Sequence, residues 1–439
     1  MELDVRDESR VCRTPPGPRQ DLHWHLRPRT RIMAVSLVFM LTTTGIVYII
    51  LPIPPPYIPP DQQQLTPHAA IAIYGDVEFS DTAQLEGWSG DGSPEDPYII
   101  DGLEIDLGVE NGPCINISNT RVSFIISNCN LTSDIGILLE NVTNGELVNN
   151  TCNNNMFGIW IRFSGSNTVA NNNCSNNVGT GIFLDSVINC DLVNNTCINN
   201  GENSIWLWWS NNNTIANNTC TSNCGHGIWL LWSNNNTIAN NICDNNYVAA
   251  DEEFGGGIYL CFSGSNSLFN NTCNDNTRYG LLIHYSNSNT IANNTCNNNT
   301  KWGLYISYSD SNTVEHNTCN SNDIGISLEE SDSNTVTNNT CNSNDIGINI
   351  ERSDYNTVAN NTCNNNRIGI GLYALDTNLV VNNTCLGNTE HDIDGWYTTE
   401  EDGPGEDGTE EFNPVVLLLT GSVAAIIFLV GGWKQRMGG

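Results

Sequence analysis

The sequence predicts an all-β fold, a parallel β-helix of about twelve rungs, each of about 22–23 residues, with an N-terminal cap and one transmembrane helix at each end. Cysteine recurs in the motif Asn-Asn-Thr-Cys, or a close variant, at gaps of about 22–23 residues with one longer gap, and a fixed period of this size is the signature of a solenoid. Two uncharged apolar runs, one near each end of the chain, are long enough to cross a bilayer.

Each repeat contains three short strands. The first follows the pattern Gly-Ile-x-Leu, in which apolar and variable residues alternate, and this period of two is typical of a strand. The second strand contains Asn-Thr-Val, and the third carries the cysteine. The first-strand residues expected to point into the core are Ile159, Ile161, Ile182, Leu184, Ile205, Leu207, Ile228, Leu230, Ile258, Leu260, Leu281, Ile283, Leu304, Ile306, Ile326, Leu328, Ile348, Ile350, Ile370 and Leu372.

The rungs must stack, because a single rung cannot bury its own apolar face. At roughly 4.8 Å per rung, about twelve rungs give a rod on the order of 55 Å long. Stacking aligns asparagines in two columns, one two residues before each cysteine and the other three residues after it. Side-chain amides stacked in this way donate to one neighbour and accept from the other, so we interpret both columns as structural.

The N-terminal part of the chain predicts a membrane anchor. Residues 1–31 are polar and rich in arginine, and residues 32–51 are an uncharged apolar span of about the length that crosses a bilayer. The arginines place the N-terminal side of this span in the cytoplasm. A cleaved signal peptide is the alternative, but the apolar core is long for one and no small-residue cleavage site follows. Residues 52–70 begin with a proline-rich run and predict an extended stalk.

The remaining chain predicts five further parts. Residues 71–113 differ from the repeats and are expected to cap the first rung, because an open solenoid end exposes apolar side chains and strand edges. The β-helix occupies residues 114–389, and an acidic linker follows at 390–413. Residues 414–433 form a second apolar span, and the basic tail at 434–439 is expected in the cytoplasm. This topology puts the β-helix on the extracytoplasmic side of the cell membrane, with both termini inside and no other helix in the chain.

One repeat is longer than the others by about seven residues. The insertion lies near residues 247–256 and contains Asp251, Glu252 and Glu253. Insertions in solenoids often gather on a binding face. The alternative is a tolerated surface loop, which costs little free energy, and the sequence does not decide between them.

The net charge excludes one class of partner. The chain carries 48 acidic and 15 basic residues, for a formal charge of −33. So acidic a surface argues against binding of nucleic acid. The remaining candidate partners are an extracellular polysaccharide or other glycan, or envelope proteins, together with the membrane that the two helices would cross.

The succession Gly-Ile-x-Leu, Asn-Thr-Val and Asn-Asn-Thr-Cys resembles the right-handed parallel β-helix repeats of the pectin-lyase-like superfamily. It is most similar to the NosD-like branch, named for a periplasmic protein linked to copper delivery. The segment at 88–105 resembles the one that precedes such repeats in archaeal surface proteins. The resemblance implies the fold, but the superfamily includes lyases, glycosidases, adhesins and non-catalytic surface proteins. Lyases of this superfamily rely on basic groups, which are almost absent from these rungs.

Aromatic residues occupy the outward positions beside the inward residues of the first strand, over about seven rungs. Exposed apolar patches of this extent usually mark a binding surface, and flat rings in a row suit stacking on the sugar rings of a polysaccharide. The alternatives are cross-strand stacking that stiffens the sheet and cover by another domain or the membrane. The two columns contain Trp160, Phe183, Trp206, Trp229, Tyr259, Leu282 and Tyr305, then Phe163, Trp209, Trp232, Phe262, Tyr285 and Tyr308, with Trp208 between them.

Carboxylates follow the aromatic residues on the same face. Glu329 and Glu351 share a column on adjacent rungs, with Glu330 in the next column, and carboxylates so placed lie at separations that include those used in glycoside hydrolysis. Like charges so close should raise the pKa of one group, as a general acid requires. Asp310, Asp332 and Asp354 line the next turn and are the candidate ligands for calcium, the one ion that we consider as a cofactor. A solvated acidic face is the alternative for both sets.

These patterns lead to three hypotheses of function. The first is a membrane-anchored cell-surface protein that binds carbohydrate or mediates adhesion without catalysis. The second is a polysaccharide-degrading glycosidase that uses Glu329, Glu330 and Glu351. The third is a structural envelope component or a metal-delivery accessory, although His226, His284 and His316 lie on different rungs and faces and methionines are few.

Overall fold

The computed structural model describes residues 65–108, 112–247, 255–373 and 377–395. They form a parallel β-helix of the right-handed type with about twelve turns, as the repeat predicted. Its largest sheet, called here the long sheet, has 14 strands. These are Ile71–Tyr74, Pro113–Thr120, Ile135–Val142, Phe157–Arg162, Ile182–Asp185, Ile205–Trp208, His226–Leu231, Gly256–Cys261, Tyr279–His284, Trp302–Ser307, Ile324–Glu329, Ile346–Glu351, Ile368–Tyr373 and His391–Gly395.

A second sheet of 13 strands contains the Asn-Thr-Val segments. Its strands are Tyr98–Asp101, Phe124–Ser127, Gly145–Val148, Thr168–Ala170, Asp191–Val193, Thr214–Ala216, Thr237–Ala239, Ser267–Phe269, Thr290–Ala292, Thr313–Glu315, Thr335–Thr337, Thr357–Ala359 and Leu379–Val381. The third side starts with Thr66–Pro67, Leu103–Asp106 and Asn130–Thr132. Single parallel bridges then continue it from Asn130 to Thr384, beside the cysteines.

The register of the long sheet confirms the predicted inward positions. Ile205 pairs with Ile228 and Leu207 with Leu230, so each apolar residue stacks on its counterpart one rung away. All but one of the predicted first-strand residues are buried in one continuous core with the cysteines of the repeat, and Leu372, near the C-terminal end, packs against it. The rod is therefore held by a ladder of backbone hydrogen bonds outside and by stacked aliphatic side chains and thiols inside.

The two asparagine columns form the predicted ladders. From Asn150 to Asn383, each side-chain amide donates to the next Oδ1 at 3.0 Å, and each backbone N–H donates to the same oxygen. The second column, from Asn155 to Asn388, accepts the backbone N–H of each preceding member in the same way. Because a buried amide without partners costs free energy, these ladders explain why asparagine recurs.

Glycine forms a further column, at the first position of the Gly-Ile-x-Leu pattern. In most strands of the long sheet a glycine precedes the first inward residue, and a Cβ on Gly280 would lie 2.5 Å from the carbonyl oxygen of Gly303 and 2.7 Å from the Cβ of Cys296. Real Cβ atoms do not approach so closely, so the ladder cysteine and the next rung together require glycine there.

The expectation of no further helix was wrong. Residues Gly75–Glu86 form an α-helix of 12 residues at the N-terminal end of the rod, and Gly87 ends it in the left-handed conformation at φ 73°. Only Phe79 and Ala83 of this helix are buried, so it has no apolar stripe that a sequence pattern could reveal. Phe79 stacks on Tyr98 with ring centroids 5.3 Å apart and covers the first turn of the core.

The strand ladders extend past both expected ends of the β-helix. Strand His391–Gly395 pairs in the long sheet within the segment expected as the acidic linker. Strands Ile71–Tyr74 and Tyr98–Asp101 already belong to the two large sheets, within the segment expected as a cap. Both apolar spans, at residues 32–51 and 414–433, lie outside the described residues, as do the proline-rich run and most of the long insertion. Within residues 65–395, as far as they are described, no helix has the length and apolar character that crossing a membrane requires.

Candidate functional site: an aromatic strip on the long sheet

Two columns of aromatic residues follow the outer side of the long sheet and together form the aromatic strip. The strand column has its register fixed by backbone pairing, since Trp160 pairs with Phe183, Phe183 with Trp206, and Trp206 with Trp229. Its core neighbours are Ile and Leu, so alternation points these rings away from the core. The strand column contains Trp160, Phe183, Trp206, Trp229, Tyr259, Leu282 and Tyr305, with Trp208 beside it.

The rings of the strand column stack on one another along the rod. Ring centroids lie 4.5 Å apart between Phe183 and Trp206, 5.0 Å between Trp206 and Trp229, and 6.0 Å between Trp229 and Tyr259. Their planes are inclined by 20° or less. Since stacked carbon atoms approach to about 3.5 Å, centroids about 5 Å apart require offset rings. Each ring therefore overlaps its neighbour in part and leaves an edge and part of one face outside.

The second column lies at the corner after the strand, not within it. Trp209, Trp232, Phe262, Tyr285 and Tyr308 follow the last residues of their strands, and their φ angles lie between 46° and 55°. Bulky residues adopt this left-handed conformation rarely, because Cβ approaches the following carbonyl oxygen. The bend turns each ring onto the next, and centroid separations are 5.2, 4.2, 5.0 and 4.9 Å in this order along the corner column.

Most rings of the strip are half-buried, neither fully exposed nor fully covered by their neighbours. Tyr285 is 42% exposed and Phe163, at the start of the corner column, is 50% exposed. Tyr259 is only 1% exposed and belongs to a small apolar cluster outside the main core, together with Leu231, Cys261, Tyr279 and Leu282. Stacking within the sheet and partial exposure are thus properties of the same residues.

The tryptophans of the strip have an unusual polar feature. The indole N–H groups of Trp160, Trp206, Trp208, Trp229 and Trp232 are shielded from water and have no hydrogen-bond partner in the described part of the chain. A buried N–H without a partner costs free energy comparable to a lost hydrogen bond. Five indole N–H groups without a hydrogen-bond partner therefore lie on one face of the rod.

The carboxylates predicted from the sequence converge on one guanidinium. Arg352 binds Glu329, and its Nη1 and Nη2 atoms lie 3.2 Å from Glu330 and 3.3 Å from Glu351. The hydroxyl of Tyr305, in the strand column, donates to the other oxygen of Glu329. The aromatic strip and the acidic group are therefore in direct contact.

Burial and neighbouring charges shift pKa values in the acidic group, which consists of Glu329, Glu330 and Glu351, and in the adjacent Tyr308. Partial burial and the charges of Glu329 and Glu330 raise the pKa of Glu351, and Arg352 opposes this change. Burial and the neighbouring Glu330 raise the pKa of Tyr308 to about 12. A raised carboxyl pKa is what a general acid needs, but all three carboxylates also bind the same arginine.

The aspartates considered as calcium ligands form a structural ladder. The backbone N–H of Asp332 donates to Oδ1 of Asp310 at 2.8 Å, and that of Asp354 donates to Oδ1 of Asp332 at 2.7 Å. Asparagine has the same role on earlier rungs of this column, where Oδ1 of Asn287 accepts the backbone N–H of Asp310 and Oδ1 of Asn211 accepts that of Asn234. Aspartate thus replaces asparagine in an acceptor role, and the calcium interpretation stays a prediction.

Several residues beside the strip were missed by reasoning from the sequence. Tyr279 and Trp302 begin neighbouring strands and stack at 5.2 Å, and Phe157 stacks on Phe183 at 5.9 Å. His226 packs against Trp229 and Tyr259, and burial lowers its pKa to about 3. These positions precede the glycine of each repeat, so a count of every aromatic residue within two positions of that glycine would have found them.

The chain is similar to 52 chains of known structure. A mannuronan C-5 epimerase A-module from Azotobacter vinelandii has 13% identity and a TM-score of 0.40, with 66% of this chain and 88% of that chain covered. A double mutant of the periplasmic alginate epimerase AlgG has 14% identity and a TM-score of 0.46, with coverages of 71% and 83%. The surface adhesin PfbA of Streptococcus pneumoniae has 16% identity and a TM-score of 0.41, with coverages of 63% and 82%. Among curated proteins, none matches this sequence.

A family model described as periplasmic copper-binding protein (NosD) matches residues 95–271 and 252–400. This description implies a copper site. The side chains of the described residues show whether such a site fits. In the described ranges, no three or more histidine, cysteine or acidic side chains are grouped to hold a metal ion. From Cys129 to Cys363 the thiols of the ladder are buried in the hydrophobic core, where an incoming metal ion does not reach them. The described residues therefore do not fit a copper site.

The match covers residues 95–400, or 306 of the 439 residues, and includes the aromatic strip and every strand of the two large sheets except Ile71–Tyr74. The fold agrees with the resemblance that the repeat motifs indicated, a parallel β-helix of the pectin-lyase-like superfamily. The chain belongs to the NosD family.

Proposed function

We propose that this protein is a membrane-anchored cell-surface module that binds polysaccharide, or adheres to glycan-coated surfaces, through the aromatic strip. One observation carries the proposal. Two adjacent columns of offset aromatic rings, most of them half-buried, extend over about seven rungs at a spacing fixed by the strand ladder, with Leu282 in place of a ring in the strand column. Six steps of roughly 4.8 Å make a surface about 29 Å long, which suits an extended polymer more than a small ligand.

The chemistry of the strip matches that of sugar rings. A pyranose ring presents an apolar face of C–H groups and a rim of hydroxyl groups. Offset aromatic rings supply an apolar, ridged surface for the C–H face of the sugar. Tyr285, which is 42% exposed, supplies a hydroxyl group at the margin of the strip for the hydroxyl groups of the sugar. Because strand pairing holds the rings in place before binding, little conformational entropy is lost when a ligand binds.

The net charge of the chain favours a neutral polymer over a polyanion as the ligand. The net charge of −33 creates a field that repels polyanions, and Glu329, Glu330 and Glu351 lie at one end of the strip. We therefore propose a neutral polysaccharide as the ligand. The two apolar spans at residues 32–51 and 414–433 support the proposed attachment to the membrane, with the β-helix on the extracytoplasmic side.

A glycosidase is the second candidate function. Its support is the raised pKa of Glu351 next to Glu329, at the end of a surface that suits a polysaccharide. The contact of all three glutamates with Arg352 reduces their freedom to act as an acid and a nucleophile. For this reason we propose binding without cleavage as the principal function.

The test is a binding assay of the purified full-length chain against neutral and anionic polysaccharides, with release of reducing sugar measured in parallel. The proposal predicts binding of at least one neutral polymer, weaker binding of polyanions and no reducing sugar above the blank. Reducing sugar that appears with the wild-type chain and disappears with Glu351→Gln would instead support the glycosidase. A folded chain that binds no polymer would leave a structural envelope or accessory role.

A further inference from the structure

The corner column has a serine between its first two rings. Phe163, Ser186 and Trp209 follow paired strand ends on three successive rungs, and all three are left-handed, with φ angles of 49°, 58° and 51°. The backbone N–H of Phe163 donates to the carbonyl oxygen of Asp185, and that of Ser186 to the carbonyl oxygen of Trp208. Because the three backbone positions are equivalent, their Cα–Cβ bonds point the same way, and only the serine carries no ring.

This serine leaves a slot of about the thickness of one ring between Phe163 and Trp209. From Trp209 onward, neighbouring rings of the corner column have centroids 5.2, 4.2, 5.0 and 4.9 Å apart. Phe163 and Trp209 are two rungs apart, or roughly 9.6 Å. Two rungs correspond to two stacking steps, so one further ring fits between them in contact with both. Phe163 is 50% exposed, which agrees with a ring that has small or polar neighbours in its column.

Polar groups lie at the inner end of the slot. The hydroxyl of Ser186 donates to Oδ1 of Asp185 at 3.0 Å, and both residues are half-buried. Burial raises the pKa of the Asp185 carboxyl above its ordinary value, and the charge of Arg162 opposes this change. Arg162 pairs with Glu140 at 2.8 Å, and its guanidinium carbon lies 5.9 Å from the centre of the Phe163 ring. The slot therefore combines two apolar walls with a carboxylate and a hydroxyl group.

These groups suit a sugar ring better than an aromatic side chain. The two C–H faces of a pyranose ring can stack on Phe163 and Trp209 together. Its hydroxyl groups can donate to the carboxylate of Asp185, which is half-buried and therefore gains from a further donor. A phenyl ring has no such donor, and its insertion would cover the carboxylate at a cost in free energy.

The walls of the slot restrict which sugar of a polymer can enter. Phe163 and Trp209 close the slot in both directions along the rod, and Ser186 closes its inner end. A sugar within a main chain that follows the strip would have to continue through one of these rings. A sugar that is linked on one side only, at a chain end or as a single-sugar branch, can enter with the rest of the polymer outside.

We propose that the slot between Phe163 and Trp209 holds one terminal sugar of the polysaccharide, stacked on both rings, with a hydroxyl group that donates to Asp185. This inference rests on the proposed function and deepens it. The strip binds the main chain, and the slot selects polymers with accessible chain ends or single-sugar branches.

The first test is a fluorescence titration of the full-length chain with two series of probes. One series is linear mannan, galactomannan and mannohexaose, and the other is linear xylan, arabinoxylan and xylohexaose. Ser186→Phe fills the slot with a ring, and Ser186→Ala is the control that keeps it open. In at least one series, Ser186→Phe should lower the affinity for the branched polymer or the hexasaccharide at least about tenfold, and leave that for the linear polymer within about twofold. Ser186→Ala should keep every affinity within about twofold.

The probes separate the two sources of a terminal sugar. A loss confined to the branched polymer assigns the slot to branches, and a loss confined to the hexasaccharide assigns it to chain ends. Affinities that Ser186→Phe leaves unchanged, or lowers equally for all three probes of a series, would overturn the slot and leave the proposed function intact. A wild-type chain that binds no probe would contradict both.

A second measurement tests the room in the slot without a glycan. Ser186→Phe should complete the stack from Phe163 to Trp209, so the midpoint of urea denaturation should not fall below that of the wild type. Ser311→Phe is the matched control, because Ser311 is an exposed corner serine with φ 59° that lies off the strip between other serines. Its ring has no ring to stack on, so its midpoint should be lower. A midpoint of Ser186→Phe no higher than that of Ser311→Phe would show that no ring fits and would overturn the proposal.

Discussion

Trp206 and Trp229 stack with ring centroids 5.0 Å apart and planes inclined by 5°. They are also directly paired in the strand register, where neighbouring strands lie roughly 4.8 Å apart. The ladder of backbone hydrogen bonds therefore sets the spacing of the rings, and any ligand meets an array whose geometry does not depend on loops. This relation between backbone register and ring spacing underlies the proposed function of the site.

The asparagine ladder should be a major source of stability. Asn218 donates to Leu192 and Asn241 and accepts from both the backbone and the side chain of Asn195. Asn218→Ala leaves buried partners unsatisfied, so we expect the free energy of unfolding to fall by about 2–4 kcal/mol. Chemical denaturation followed by circular dichroism measures it. Thr290→Ala, at an exposed strand position, is the control, and its change should stay within about 0.5 kcal/mol.

Glycine in the strands of the long sheet is required for close packing. Gly280→Ala would place Cβ 2.5 Å from the carbonyl oxygen of Gly303, and backbone cannot move aside as a side chain can. We expect a loss of at least about 3 kcal/mol, or failure to fold. At Gly87 no heavy atom lies within 4 Å of an added Cβ, so Gly87→Ala should cost only the strain of its positive φ, about 1–2 kcal/mol. Equal losses in the two variants would contradict this explanation.

Buried histidine should make stability depend on pH. Burial lowers the pKa of His226 in the folded chain to about 3, against about 6.5 when unfolded. Between these values the unfolded state binds more protons, so the stability that His226 contributes is complete above pH 6.5 and is lost as pH falls toward 3. The slope is at most about 1.4 kcal/mol per pH unit for one histidine. His226→Phe should reduce the slope measured from pH 6.5 to 4.5, and an unchanged slope would show that His226 is protonated in the folded state.

Arg352 should hold the acidic group together. Arg352→Gln leaves Glu329, Glu330 and Glu351 without their common cation. Because these side chains are partly exposed, we expect a loss below about 1 kcal/mol at pH 7. The pKa of Glu351 is already raised and should rise further, so the loss should diminish as pH is lowered to 5 and as salt is added. Arg367→Gln, which breaks pairs with Asp345 and Glu390 elsewhere on the rod, is the comparison, and a pH dependence equal to that variant's would argue against specific coupling.

The repeat made the fold predictable because its constraints are local and occur in every rung. Alternation identified the inward residues, and the unbroken asparagine columns identified the ladders. The left-handed corner at Trp209 could not be predicted from its residue type, since aromatic residues avoid positive φ; the corner itself imposes this conformation, which Glu330 and Arg352 also adopt at the equivalent position. The convergence of three carboxylates on Arg352 also depends on side-chain conformations across rungs, which a sequence pattern does not contain.

The most direct test of the proposed function compares the polysaccharide affinity of the full-length wild-type chain with that of a variant carrying both Trp206→Ala and Trp229→Ala. Isothermal titration calorimetry with the neutral polymer that binds best measures the dissociation constant, and circular dichroism confirms that both chains are folded. Tyr74→Ala, at an exposed aromatic residue off the strip, is the control. We expect at least a tenfold loss of affinity in the double variant and none in the control. Equal affinity in all three folded chains would show that the aromatic strip is not the glycan-binding surface.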